Sequence, residues 1–165
     1  MLTEQEAILR MALAIGLGAA LGFERERLAK PAGIRTYALV CLGSTMFMIG
    51  SILLGDEVRE EGGIAYDPSR IGSTIVQGIG FLAAGVIFTS RGRVQGLTTA
   101  AGIWVTAAIG LLVGSGFYLI AIVGGAMTFA TLVILGWLED TADISGDQEA
   151  GRRQSPHDGE SPTDG

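Results

Sequence analysis

A dense group of charged residues follows the first apolar segment of the chain. Glu24, Arg27, Arg35 and Thr36 fall within the stretch ERERLAKPAGIRT. Carboxylates at the edge of a membrane either pair with nearby arginines or form a small polar site, so two interpretations stay open. In the first, the loop is an anchor in which Glu24 pairs with Arg35 or Arg27. In the second, Glu24 is the cation- or proton-sensitive group of a site.

More polar residues surround the third apolar segment. Asp67 and Arg70 occur in the element DPSR, where an acid followed by proline is typical of a helix N-terminus. Gln77, together with Thr74, is expected to face the interior of a helix bundle and to form an interhelical hydrogen bond. Glu24 and Asp67 are the candidate metal ligands, because Mg²⁺ prefers carboxylate and other oxygen atoms.

The residue types argue against several classes of protein. The sequence has no nucleophile–base pair and no metal-ligand spacing, and its loose glycine fingerprint at 78–83 lacks a preceding strand. We therefore expect no enzyme activity and no cofactor. No basic patch interleaved with aromatic residues indicates a nucleic-acid partner. Cys41 is the one cysteine, and inside an apolar segment it is expected to pack as a small hydrophobe.

Long uncharged segments must position these residues. Residues 97–138 carry no charge, and as one helix they would extend about 63 Å, twice the ~30 Å thickness of a bilayer core. The run 114–116 (Gly-Ser-Gly) divides them into a predicted hairpin of two spans. Segments 36–55 and 71–90 are also uncharged, and segment 7–23 is apolar except for Arg10. Each of the three is long enough for one more span. The sequence thus predicts an all-α membrane protein with five transmembrane helices.

The basic residues predict the orientation of these spans. Eight of the 11 lie in the first loop, the third loop and the C-terminal tail, and the other three, Arg10, Arg59 and Arg70, lie on the opposite side. The positive-inside rule therefore places the N-terminus outside and the C-terminus in the cytoplasm. Residues 1–138 form the predicted membrane domain. Residues 139–165 are acidic and polar, with almost no apolar side chains, and are expected to be a disordered cytoplasmic tail.

Small residues recur on several of the predicted spans. In the fourth span they follow a four-residue spacing, and shorter pairs occur at Gly18 and Gly22, Gly80 and Ala84, and Gly124 and Thr128. Such faces allow close approach between helices in lipid. We expect them to pack within one bundle, although a homo-oligomer seam is the alternative.

Three long motifs resemble the MgtC/SapB family of bacterial inner-membrane proteins. They are GLGAALGFERERLAKPAGIRTYALVCLG, DPSRIGSTIVQGIGFLAAGVIF and GLTTAAGIWVTAAIGLLVGSGFYLIA, spread in order over residues 7–138. The resemblance implies a five-span domain whose functional positions correspond to the charged loop, the DPSR element, the glycine-rich third span and the GLTTAA–W element. These residues are Glu24, Arg27, Arg35, Thr36, Asp67, Arg70, Gly78, Gly80, Gly85, Thr98, Thr99 and Trp104. Ala83 departs from the family pattern, which usually has glycine there.

The same resemblance implies a role and partners. Members of the family are associated with growth under magnesium limitation and, in pathogens, with survival inside macrophages. The implied function is regulation of another membrane complex, with the F-type ATP synthase as the expected partner in the inner membrane. The alternative is a small transporter or channel for Mg²⁺ or another ion. Longer members carry a soluble C-terminal domain, and a short tail stands in its place here.

Overall fold

The structure, a computed structural model, describes residues 2–60, 69–90 and 93–153. It contains five helices and a small hairpin, and its compact units are Met1–Phe129 and Ala130–Gly165. In chain order the elements are α1 (Glu4–Arg27), α2 (Ile34–Glu60), α3 (Ser69–Ala84), β1 (Phe88–Ser90), β2 (Arg93–Gln95), α4 (Leu97–Gly114) and α5 (Tyr118–Arg153).

Four of the helices are long and apolar enough to cross a membrane. They are α1, α2, α4 and the part of α5 over Tyr118–Leu138. The chain is therefore a multi-pass, all-α membrane protein. With 16 residues, α3 is about 24 Å long, which is shorter than the ~30 Å apolar core of a bilayer. A fifth span at α3 and the outward N-terminus stay predictions.

The third predicted span, 71–90, is helical over only part of its length. The helix ends at Ala84, and the Val86 and Ile87 amides donate to Ala83 and Ala84 at 3.2 and 3.1 Å in a closing turn. Strands β1 and β2 then pair antiparallel, with Phe88 opposite Gln95. Gly85 weakens helix continuation, and the β-branched and aromatic residues after it favour extended backbone. The predicted third loop is thus partly a β-hairpin.

The predicted hairpin between the last two helices is confirmed. Helix α4 ends at Gly114, and Gly116 adopts a φ of +85°. The Phe117 amide then donates to the Leu112 carbonyl at 2.9 Å, and the Gly116 amide donates to the Val113 carbonyl at 3.0 Å. This pair of bonds is a Schellman motif, which needs a left-handed residue that glycine supplies without strain.

Close packing through glycine joins α1, α2 and α4. A Cβ atom on Gly18 would lie 2.6 Å from the Tyr37 carbonyl oxygen, and one on Gly114 would lie 2.7 Å from the Met48 Cβ. At Gly110 an added Cβ would collide with the Cys41 carbonyl oxygen. The expectation that these glycines pack inside one bundle is therefore confirmed. Gly80 and Gly124 differ, since nothing lies within 4 Å of a Cβ built on either.

Helix α5 continues past the predicted end of the membrane domain at 138 and reaches Arg153. The domain boundary at 138 and the disorder expected from composition for residues 139–165 stay predictions. Residues 154–165, the rest of the predicted tail, lie outside the described residues.

Candidate functional site

Glu26, near the end of α1, bridges the first loop by a hydrogen bond to the start of α2. Its Oε2 accepts a 2.8 Å hydrogen bond from the amide of Ile34, the first residue of α2. A Cβ atom on Gly33 would lie only 2.6 Å from the same oxygen. Glu26 thereby satisfies one of the unpaired donors at the N-terminus of α2. The sequence interpretation did not assign it this role.

Glu24 is held by Arg25, its neighbour in α1. The Nε of Arg25 donates to Oε2 of Glu24, and its Nη2 donates to Oε1 at 2.7 Å. Both carboxylate oxygens are therefore engaged by one guanidinium, which is a strong bidentate arrangement. Arg25 is 3% exposed. The predicted pairing of Glu24 with Arg35 or Arg27 is wrong.

The arginines predicted to face Glu24 lie on the surface instead. Arg35 and Thr36 are exposed in the first turn of α2. Arg27 is exposed and its guanidinium carbon lies 5.7 Å from the ring centre of Phe23, a cation–π distance. Helix geometry explains the difference, because Arg25 lies seven residues after Gly18 and three after Gly22 and so shares their packing face. That spacing is the sequence signal that could have identified Arg25.

Tyr37 connects this charged pair with α4. Its side chain is fully buried, and its hydroxyl donates to the Thr99 carbonyl at 3.4 Å. An added Cβ on Gly102 would meet the same hydroxyl, so glycine makes room for it. The charges of Glu24 and Arg25 lie within electrostatic reach of the phenol. Groups from α1, α2 and α4 thus converge at the first-loop end of the bundle.

The structure separates the other predicted residues of α4 from this site. Thr99 is buried, whereas its neighbour Thr98 is exposed. Trp104 is 49% exposed, although it lies near the middle of α4. Of the three α4 residues that the family resemblance implies, only Thr99 takes part in this site, through the carbonyl that accepts the bond from Tyr37.

Only part of the predicted DPSR site is described. Asp67 lies outside the described residues, and Arg70 is exposed in the first turn of α3. The carbonyl of Arg70 accepts bonds from the hydroxyls of Ser73 and Thr74 at 2.8 and 3.0 Å. These side-chain bonds satisfy a carbonyl already inside the helix and do not form a pocket.

Gln77 does not face the bundle interior as expected. It is exposed, as are Thr74, Gly78 and Gly80, and its amide makes no hydrogen bond to the described part of the chain. Gly85 lies at the turn after α3, where an added Cβ would lie 3.2 Å from the Leu82 carbonyl. Ile79 and Ala83 of α3 are buried, and Ile75 packs against the core beside them.

An open groove runs between α2 and α3. Its volume is about 530 Å³, and apolar side chains dominate its lining, with Thr74 and Gly78 on the α3 side and Gly43, Ser44 and Phe47 on the α2 side. A smaller cavity of about 370 Å³ continues it past Gly43, Phe47 and Ile71. The groove follows from loose packing of α3 against α2, which sequence periodicity did not reveal.

A second polar cluster, which the sequence interpretation missed, surrounds Arg10 at the other end of the bundle. Arg10 is 8% exposed and donates to the Gly114 carbonyl at 2.5 Å and to the Tyr118 hydroxyl at 2.9 Å. It also bonds Glu6 at 2.5 Å, and Tyr118 donates to the same carboxylate at 3.1 Å. The cluster joins the start of α1 to the hairpin between α4 and α5.

The described residues contain no group of three or more His, Cys, Asp or Glu side chains able to hold a metal ion. Each oxygen of Glu24, the described candidate ligand, accepts a hydrogen bond from Arg25, so a cation bound there would lie close to a positively charged guanidinium. The arrangement is therefore a largely buried ion pair within α1, next to the first loop that Glu26 ties to α2. Glu24 and Arg25 thus form a charged rim at the end of α1, next to the helices that pack tightly through glycine.

The chain is similar in sequence to several bacterial proteins. The chain is 44% identical over 129 residues to the protein named "Putative magnesium transporter YhiD" from Escherichia coli (strain K12), covering 78% of this chain and 60% of that protein. It is 38% identical over 135 residues to Protein SrpB of Synechococcus elongatus, covering 74% and 71%. Protein MgtC of Brucella abortus (strain 2308) is 39% identical over 120 residues, covering 72% and 47%.

The chain spans 60% of the length of YhiD and about half that of several other curated relatives. No solved structure matches it. The sequence model of the MgtC family matches residues 11–141, which include the charged pair, helix α3 and the α4–α5 hairpin. That match covers most of the chain, and the chain belongs to the MgtC family.

Proposed function

We propose that this protein serves magnesium homeostasis in the bacterial inner membrane by binding and regulating another membrane complex. The observation that carries the proposal is the engagement of both Glu24 oxygens by Arg25. A carboxylate that guides a cation must exchange its partners readily, and a buried bidentate ion pair resists exchange. The pair is better suited to a structural role at the end of α1, beside the first loop that Glu26 ties to α2.

Packing between the two polar clusters supports the same proposal. The Glu24 pair and the Arg10 cluster lie at opposite ends of α1, and between them Gly18 brings α1 onto the Tyr37 and Cys41 segment of α2. Gly110 brings α4 onto that segment from the other side. Close backbone contact of this kind provides stability and leaves no room for a hydrated path among these three helices.

The F-type ATP synthase is the partner we propose, and the family resemblance supports it. The test is purification of the tagged full chain from gently solubilised membranes after crosslinking. Recovery of ATP synthase subunits in fixed proportion supports regulation. Recovery that Glu24→Gln abolishes, with Glu57→Gln unchanged as an exposed acidic control, would place the charged rim in the interface. Crosslinks that contain only this protein would contradict the proposal.

Ion transport is the alternative function, and the magnesium-transporter name carried by YhiD favours it. Purified full-length protein in liposomes with an internal Mg²⁺ dye separates the two functions. The regulatory proposal expects no flux above empty liposomes for the wild type. Flux that Glu24→Gln removes and Glu57→Gln preserves would instead identify a transporter with Glu24 on its pathway.

A further inference from the structure

The groove between α2 and α3 changes in chemistry along its length. Its cavities of about 530 Å³ and 370 Å³ share Gly43, Phe47 and Ile71 in their walls, so they form one continuous space, which we call the α2–α3 groove. Toward the first loop its lining is apolar and includes Leu39 of α2. Toward the other end of α2 its lining includes Ser51.

Ser51 is a buried polar residue whose side chain lacks a partner. It is 2% exposed, and its Oγ makes no hydrogen bond to the described part of the chain. Thr74, a hydroxyl in the opposite wall, differs because it donates to the Arg70 carbonyl at 3.0 Å. A buried hydroxyl without a partner costs free energy. We therefore expect the Ser51 hydroxyl to donate to an acceptor that enters the groove from outside the chain.

The position of Ser51 along α2 limits what can enter. Helix α2 is long and apolar enough to cross a membrane, and Phe47 and Leu54, which line the groove, are exposed. The groove therefore opens into hydrocarbon. Ser51 precedes Asp56, the first charged residue after the uncharged run, by about 7 Å along the helix. It lies close to the edge of the apolar core, whereas Leu39 lies about 18 Å further along α2.

A phospholipid has the same order of chemical groups. Its ester carbonyls are hydrogen-bond acceptors at the edge of the apolar core, and its acyl chains extend about 15 Å inward, half of the ~30 Å core. The phosphate lies further out, where Arg70 is exposed at the start of α3 and directly precedes the lining residue Ile71. The free amides at that helix N-terminus favour the same anion.

We propose that the α2–α3 groove binds one phospholipid, with an acyl chain along its apolar walls and an ester carbonyl accepting a hydrogen bond from Ser51. Asp56 and Glu57 lie at the same end of α2 and complement the ammonium of an ethanolamine headgroup. Phosphatidylethanolamine thus matches both signs of charge. This proposal is independent of the regulatory function. It does not require α3 to cross the membrane, because α2 supplies Ser51.

Native mass spectrometry of the delipidated full chain, titrated with dioleoyl phosphatidylethanolamine in detergent micelles, provides the test. The wild type is expected to bind one lipid before any others. Gly78→Leu places a side chain in the groove and is expected to weaken that binding at least roughly tenfold by obstruction. Gly80→Leu is the matched control on the same helix, since Gly80 does not line the groove. A Cβ on either glycine meets nothing within 4 Å, so both variants are expected to fold.

The contacts at Ser51 and at the headgroup can be measured in the same assay. Ser51→Ala is expected to weaken binding roughly fivefold through loss of one hydrogen bond, and it keeps the lipid-free fold because it removes an unpartnered atom. Ser73→Ala is the control, since that hydroxyl donates to the Arg70 carbonyl. Dioleoylglycerol has the same ester carbonyls without the charged headgroup, and it is expected to bind at least about fivefold more weakly.

Four results would overturn the proposal. Lipids that bind without a distinct first site would show only a general lipid annulus. Equal binding by Gly78→Leu and Gly80→Leu would place the lipid outside the groove. Wild-type affinity in Ser51→Ala would exclude the hydrogen bond, and equal affinity for dioleoylglycerol would exclude recognition of a phospholipid headgroup.

Discussion

The Nε of Arg10 donates a 2.9 Å hydrogen bond to the hydroxyl of Tyr118, a residue 108 positions later in the chain. The same guanidinium reaches the Gly114 carbonyl and the Glu6 carboxylate. Arg10 therefore satisfies a carbonyl at the end of α4 and fixes the start of α5 at once. Such a shared, largely buried network is expected to show strong coupling between its members.

A double-mutant cycle tests this coupling. Tyr118→Phe removes one neutral partner and is expected to lower the free energy of unfolding by about 1 kcal/mol, whereas Arg10→Gln is expected to lower it by about 2–3 kcal/mol. The double variant should lose at least about 0.5 kcal/mol less than the sum, since both changes break one bond. Reversible unfolding in mixed micelles measures these values. Simple additivity would contradict a direct bond.

Two glycines of α1 provide a matched pair for the packing of α1 on α2. Gly18→Ala places a methyl group 2.6 Å from the Tyr37 carbonyl oxygen, whereas Gly16→Ala meets nothing within 4 Å. We expect Gly18→Ala to destabilise the protein by about 1–3 kcal/mol through overpacking. Gly16→Ala should be neutral or stabilising by up to about 1 kcal/mol through helix propensity. Thermal melting of both variants measures the contrast, and equal melting temperatures would refute the close contact.

Removal of either of two buried hydroxyl groups of α2 is expected to change the free energy of unfolding in opposite directions. Thr45 donates to the Gly110 carbonyl at 2.7 Å, whereas Ser51 Oγ is buried without a hydrogen-bond partner among the described residues. Thr45→Val is expected to cost about 1 kcal/mol of unfolding free energy, because it removes a bond. Ser51→Ala removes an unsatisfied polar atom and is expected to raise stability by up to about 1 kcal/mol. A loss of stability in Ser51→Ala would show that this hydroxyl has a partner.

The orientation and the fifth span can be tested by labelling with a membrane-impermeant thiol reagent. Thr3→Cys and Asp56→Cys are expected to react in intact cells, and Lys30→Cys and Gln95→Cys only after permeabilisation. The reactivity of position 95 shows whether α3 crosses the membrane. Positions 56 and 95 lie on opposite sides of the membrane only if it does. Reaction at both 56 and 95 in intact cells would show that α3 lies on one side.

The main elements could be predicted from the sequence because lipid imposes a simple length rule. Apolar runs located α1, α2, α4 and the hairpin at Gly116, and the spacing of Gly18 and Gly110 identified faces that do pack. An uncharged run does not set where a helix ends, however, since α2 extends beyond its run and α3 stops short of its own. The end of α3 at Ala84 depends on local propensity after Gly85, which hydropathy does not contain.

The site was less predictable, since its contacts depend on direction around a helix and on distant partners. Glu24 pairs with Arg25 because that guanidinium lies on the buried face of α1, whereas Arg27 turns toward Phe23. Charge density in the loop could not distinguish these two arginines. The prediction for Gln77 was also wrong. A polar residue in an apolar segment was expected to hydrogen-bond inside the bundle, whereas Gln77 lies on the exposed side of α3.

The Arg10 cluster has a consequence for how the protein is made. Arg10 enters the ribosomal exit tunnel 104 residues before Gly114, the carbonyl that will receive its Nη1. During that interval Glu6 is the partner already available to Arg10 in α1, while the partners at Gly114 and Tyr118 have not been synthesised. The network around Arg10 is therefore complete only after the last hairpin has been made, so one of the earliest residues of the chain receives its final contacts last.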